Sequence, residues 1–527
     1  MNGKPREIDF ERGILAKMGA AEIRTRLFAA GLRTEGDGDM IAVASLKAAD
    51  PDREIVVVGR AGWHNDIAGC PDLIFITPVG TVIGAPVELD LELDAAARMA
   101  PDVAQAGTLE GWRAAVKAAL EAGCEHWVLG IASSFAGAVV ALTGLETCGI
   151  NFSGLTTSGK TTSQRLAVSA RSTPDIRRFG LLASARATDN AIEALAQRST
   201  GTVLALDELA HVSGKIIGKI IYMVTGGTGK SRMTAEATLR ESYSWATYAI
   251  FSGETSLEQK VRGDGGEWLA GMAVRIIDID VTGVKRTVDA DTLQRINEIE
   301  RHYGHAGPAF VRALIENGLH HQPAALRERV LKAAAAIAGD SVADNVAADS
   351  AKIRAATPLA ILMAAGELAK SFDLIPSETD VRGAVQWAWR RFSQSSDAAA
   401  LDPEAQVIDS IRGWIAERWG VTVKNVDVDG GINNRETLAW YDETIIYIPR
   451  DRIREAAGNN LKESEIGAIL HRRGLLAVKP EPDRNTTRWV PKVGKVTAYA
   501  LPRSQLGRSG QESDPDALKL YQDRRNG

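Results

Sequence analysis

The segment GLTTSGKTT, residues 154–162, constrains the fold of this chain more than any other feature. Gly154, Gly159, Lys160 and Thr161 meet the pattern G-x-x-x-x-G-K-[ST], in which glycines let backbone N–H groups turn onto phosphate oxygens. Ahead of the loop, ETCGINFSG reads as a buried strand, and behind it TTSQRLAVSA opens a helix. That order makes an anion site, because the helix dipole and the free N–H groups of its first turn face one point. The loop therefore predicts a strand–loop–helix unit in which Thr157, Ser158 and Thr162 help wrap ATP, Lys160 meets the β/γ-phosphates and Thr161 ligates Mg²⁺.

A cradle of this kind needs a metal carboxylate and a group to activate water. TGTVLALDELAHV supplies both: TVLAL is an apolar run of the sort found in central parallel strands, and Asp207 and Glu208 stand at its carboxyl end, where α/β sheets bind ligands. Asp207 is expected in the Mg²⁺ shell and Glu208 as the residue that orients and deprotonates the lytic water. A third strand, TYAIFSGE, ends in Ser252 and Glu254, either of which is placed to sense the γ-phosphate. In GMAVRIIDIDV, Arg275 directly precedes another apolar strand, a position suited to an arginine finger or to a surface salt bridge. Arg354 opens an apolar helix and is the candidate for a second sensor arginine. His302, His305, His320 and His321 lack a third ligand at metal-site spacing and read as solvated helix ends.

A second loop, GGTGKSRMTAE from Gly226, also ends in Gly-Lys-Ser, but Val224 stands where its first glycine would be required. The residues after it alternate as a β-hairpin does, with Lys230 and Arg232 near its start. By itself such a charged turn reads as solvated surface.

With 527 residues, 45% hydrophobic and 24% charged, the chain has material for two to four globular domains. Three scattered cysteines signal neither disulfides nor zinc and fit a reducing cytoplasm. No signal peptide and no unbroken apolar run of about 18 residues is seen, so no membrane association is expected. The net charge of −5 excludes a protein coated in positive potential but not one with a local basic channel. An α/β region of unassigned role is expected over 1–145, an ATPase domain over 146–395, a third domain over 402–502 and a mobile tail over 503–527. The third, with helix, strand, two short helices and a hairpin in that order, resembles a winged helix.

Taken in order, GLTTSGKTT, ATDNAIEALA, LALDELAHV, GGTGKSR, IFSGETSL and VRIIDI resemble the domain-of-unknown-function 927 family of AAA+ helicases carried by plasmids, phages and other mobile elements. KSRMTAEATLRESYSWATYAIFSGE is similar to the presensor hairpin and sensor strand of the minichromosome-maintenance helicases. The resemblance implies an AAA+ core, a homo-hexameric ring hydrolysing ATP between subunits, and single-stranded and forked DNA as partners. It implies that Lys230, with Arg232 beside it, faces DNA in the pore, and that Arg275 is the finger. The resemblance leaves room for a separate primase or initiator as partner; the chain departs from it in showing no primase-like segment and in having Ser252 or Glu254 where asparagine is usual. Two other readings stay open on the residues: an AAA+ switch or protein remodeller, and a winged-helix origin-binding protein assembled by ATP.

Overall fold

The computed structural model describes residues 15, 18–49, 55–67, 70–85, 89–94, 97–229, 232–233, 239–240, 243–284, 288–339, 346–426, 437–459, 461–476, 486–490 and 494–506. The chain divides into two compact units, residues 1–57 with 88–92, and residues 58–87 with 93–527. In the smaller, helices Ala20–Ala29 and Gly38–Ala48 close over Met18, Ile23 and Val43, and Lys47 donates to the Met18 carbonyl at 2.9 Å.

In the larger unit five strands form the central sheet: β1 Cys148–Ser153, β2 Leu182–Ser184, β3 Val203–Asp207, β4 Tyr248–Gly253 and β5 Ile276–Asp280. All are parallel, in the order β5-β1-β4-β3-β2. At the centre Ile150 of β1 lies level with Ile250 of β4 and Ile277 of β5. Side chains alternate between two cores. Val203, Ala205, Tyr248, Ile250 and Ile277 enter one, while Leu204, Leu206, Ala249, Phe251 and Ile276 enter the other. Burial on both faces is why these strands read as continuous apolar runs. The first core is covered by helices α1 (Glu125–Thr143) and α2 (Lys160–Ser169) and by Val346–Ser371; the second is covered by Asp189–Arg198, Gly214–Gly226 and Leu257–Gly263.

The expected boundary near residue 145 is not where the units divide. A three-stranded antiparallel sheet, Gly62–His64, Ile74–Ile76 and Val82–Ile83, belongs to the larger unit, and its Trp63 indole donates to the Ala138 carbonyl of α1 at 3.1 Å. Among the described residues α1 is the one helix long and apolar enough to cross a membrane, with 94% of its apolar window buried. A reading based on unbroken apolar runs passes over it, because His126, Ser133 and Ser134 interrupt the run. Packing against the central sheet and α2 accounts for its composition.

Beyond residue 402 a separate core forms around Ile411, Trp414, Ile446, Ile466 and Tyr499. Helix Pro403–Arg418, strand Ile445–Pro449, helices Ile453–Ala456 and Glu463–Arg472, and the hairpin Thr486–Val490 with Gly494–Pro502 follow in the expected order. Two further short strands, Val423–Asn425 and Ala439–Tyr441, extend the sheet beside Ile445–Pro449. Ordered structure also runs past the expected start of the tail: Arg503–Leu506 is helical, and Leu506 is buried in this core. Residues 507–527 lie outside the described residues.

Candidate active site

The glycine loop joins the end of β1 to the first residue of α2. Gly154 and Gly159 have φ of 141° and 80°, and Thr157 takes the left-handed region at 67°, so backbone N–H groups can turn inward as a phosphate cradle requires. A Cβ on Gly159 would come within 2.8 Å of the Trp127 indole nitrogen, so only glycine fits beneath this wall. The same indole donates to the Gly159 carbonyl at 3.1 Å, and the Ser163 hydroxyl donates to the His126 carbonyl at 2.6 Å. The start of α1 thus floors the loop. Lys160 reaches back along it, donating to the carbonyls of Gly154 and Leu155 at 2.7 Å each and to Ser158 Oγ at 3.3 Å. Partial burial lowers the Lys160 pKa, and the charges of Glu254 and Asp207 oppose that shift.

Thr161, Asp207 and Ser252 meet across three elements. Thr161 Oγ1 donates to Asp207 Oδ2 at 3.4 Å, and Ser252 Oγ, buried at the end of β4, donates to Asp207 Oδ1. Glu208 follows Asp207 in a left-handed conformation at φ 62°, unusual outside glycine and a strain that clusters at functional sites. Its side chain is exposed, with His211 Nε2 at 3.7 Å, and its N–H donates to Asp207 Oδ1 at 3.0 Å. Glu254 is exposed on the same cleft. Together Thr156–Thr162, Asp207, Glu208, Ser252 and Glu254 line a cavity of about 580 Å³.

Arg275 and Arg354 are not among the residues that line this cavity. Arg275 is half-buried before the amino end of β5, donates to the Gly271 carbonyl at 2.7 Å, and stands 5.4 Å from the Tyr222 ring centroid. Arg354 does not open its helix but stands exposed within Val346–Ser371 and does not line the cleft. Lys230 lies outside the described residues; Arg232 begins a two-stranded ladder, Arg232–Met233 against Leu239–Arg240, which forms the expected hairpin. Two of the histidines are bracing groups rather than solvated helix ends. His302 Nδ1 accepts from Thr108 N–H at 3.1 Å, and the His305 ring bonds Gln105 and the Ala106 carbonyl; His320 is buried. No three-residue cluster of metal-ligating side chains occurs among the described residues.

Several supporting residues carry no motif. Gln164 on α2 donates to the carbonyls of Leu206 at 2.8 Å and Ile250 at 3.2 Å, fixing the helix to β3 and β4. Asp278 of β5 accepts from Asn151 at 2.9 Å, from Ser153 of β1, and from the Leu257 N–H at 2.7 Å, which braces the strand that enters the loop. Burial pushes its carboxyl up to about 6. A polar residue inside an apolar strand, as in GINFSG and RIIDID, is the signal that marks this pair.

A family model described as "Domain of unknown function (DUF927)" matches residues 1–244. The first 244 residues are thus DUF927-like. The DUF927 match takes in the glycine loop, Asp207, Glu208 and both strands of the hairpin, and ends before β4 with Ser252 and β5 with the adjoining Arg275. Among solved structures the chain resembles the one described as SCCmec type IV Cch, active helicase, with a TM-score of 0.65 and 18% identity over 96% of this chain and 90% of that one. The likeness is one of fold. No curated protein matches.

Proposed function

We propose that this protein is an ATP-dependent DNA translocase of the AAA+ class, acting as a helicase in the replication of a mobile element. The observation that carries the reading is the meeting of Thr161, Asp207, Glu208 and Ser252 beside the glycine loop, at the carboxyl ends of β1, β3 and β4. The β5-β1-β4-β3-β2 order and the fold likeness to an active helicase support it.

The donor set fits a metal nucleotide: an N–H cradle, one ammonium, one hydroxyl and one carboxylate. Thr161 and Asp207 would hold Mg²⁺, which when bound neutralises phosphate charge. Lys160 would leave its carbonyl partners for the β/γ-phosphate oxygens. Glu208, exposed beside the cleft, would orient water and take its proton, with Ser252 keeping the Asp207 carboxylate aligned. Arg275 lies outside its own chain's cleft, which favours a role at a neighbour's site in a homo-hexamer. The 228–244 hairpin with Lys230 and Arg232 would touch single-stranded DNA, and the C-terminal helix–strand–helix–helix–hairpin module would serve as a winged helix.

The test is ATP turnover with and without single-stranded DNA, beside unwinding of a forked duplex. DNA-stimulated turnover together with unwinding is expected. Turnover indifferent to DNA would move the reading to a protein remodeller, and duplex binding without unwinding would move it to an origin-binding protein.

A further inference from the structure

A second cavity, of about 250 Å³, lies at the far end of α2 and is lined by Thr77, Thr81, Gln105, Arg171, His305 and Arg312 among others. Arg171 follows α2 by two residues and is 3% exposed. None of its three guanidinium nitrogens has a hydrogen-bond partner among the described residues. Its guanidinium carbon lies 5.6 Å from the Phe75 ring centroid, within cation–π range, so the ring meets part of the charge but offers no lone pair to the N–H groups. Burial pushes the group down to about 9, so it stays cationic at neutral pH.

A buried cation whose N–H groups find no acceptor is costly, and proteins hold one where something else meets it. The surroundings are shaped to admit this arginine. A Cβ on Gly307 would fall 2.0 Å from Arg171 Cδ and 2.2 Å from Nε, so the helix Ala306–Glu316 leaves its first turn bare where the side chain passes. Among the described residues the lining contains a second arginine, exposed Arg312, and neither aspartate nor glutamate. Threonine hydroxyls and the Gln105 amide supply neutral donors.

We propose that this cavity binds a compact phosphate oxyanion, inorganic phosphate or the phosphate group of a small monoester, in the fork of Arg171 with Arg312 as the second cation. The planar guanidinium matches two oxygens of one phosphate, and two arginines without a carboxylate match its double negative charge. A carboxylate would satisfy the fork alone and leave the second cation without a counterpart. The site is separate from the cleft at the other end of α2.

The experiment titrates inorganic phosphate into the full chain carrying Lys160→Ala, which removes the ammonium of the glycine loop, at constant ionic strength set with chloride. Calorimetry is expected to show saturable binding that acetate does not reproduce. Adding Arg171→Met should weaken binding at least about tenfold, the scale of a lost charge-assisted hydrogen bond. In chloride alone that variant should melt no lower than its parent, since an apolar side chain replaces an unpaired buried charge. Arg312→Gln, at an exposed position that folding tolerates, should weaken binding severalfold and keeps the test decisive if the Arg171 variant fails to fold. Absence of saturable phosphate binding, equal binding of acetate, or affinity unchanged by the Arg312 variant would overturn the proposal.

Discussion

Two loops of this chain end in Gly-Lys followed by a hydroxyl residue, yet they occupy opposite surroundings. Residues 154–161 run from a buried strand into a helix, are floored by Trp127, and face Asp207 and Ser252. The second leaves the carboxyl end of helix Gly214–Gly226, where Gly227 takes the left-handed conformation that closes helices, and continues into a two-stranded hairpin. In the first, glycines hold positive φ between a strand and a helix start; in the second, a glycine ends a helix. The tripeptide is therefore a cradle only where a helix begins behind it, because the converging N–H groups come from that first turn.

The largest effect that would break this contrast is expected at Lys160. Lys160→Ala should abolish ATP binding and turnover, measured by nucleotide affinity and phosphate release; parental turnover would make the first loop no cradle at all. Glu208→Gln should keep ATP affinity and slow hydrolysis on the order of 10²- to 10⁴-fold, the range of a lost general base.

Arg275→Ala comes next, with turnover lowered on the order of a thousandfold if it serves a neighbouring cleft. Mixing it into the parent protein should depress activity out of proportion to its fraction, and a proportional decline would remove the inter-subunit role. Lys230→Ala should sharpen the comparison from the other side by lowering fork unwinding far more than ATP turnover without DNA. The slope of log affinity against log salt for single strands should flatten by roughly 0.7 for each phosphate the variant no longer neutralises. An unchanged slope would return the second loop to ordinary surface.

The smallest effect concerns stability beneath the first loop's sheet. Buried Asp397 accepts from the Trp268 indole at 2.6 Å, and burial, with Asp278 and Glu258 nearby, pushes it up to about 7. Its folded pKa is above its unfolded value, so the stability it contributes is present at low pH and is lost as pH rises through about 7. Asp397→Asn should therefore raise the melting temperature more at pH 8 than at pH 5, and an equal shift at both would remove the linkage.

What can be read from the residues follows how local each signal is. The glycine loop, Asp207 and Ser252 are legible because contiguous spacing and strand ends place them, and the apolar runs of β3 and β4 report burial on both faces. Trp127 is not legible as part of the site, since it reaches Gly159 from a helix that precedes β1. Asn151 and Ser153 meet Asp278 across 127 and 125 residues of chain, a pairing that no window of sequence contains. His302 and His305 read as solvated because their partners, at 105–108, belong to a distant segment. Arg354 reads as a helix start because the apolar run begins after it, while the helix itself begins at Val346.

The indole beneath Gly159 has an optical consequence. Trp127 donates to the carbonyl of Gly159, the residue next to Lys160, so its emission should respond to loop geometry without any attached dye. The chain has 11 tryptophans, and subtracting the spectrum of Trp127→Phe would isolate this one. The protein thus carries an intrinsic fluorophore in the wall of its own cleft, where a nucleotide bound as proposed would be expected to change its emission in real time.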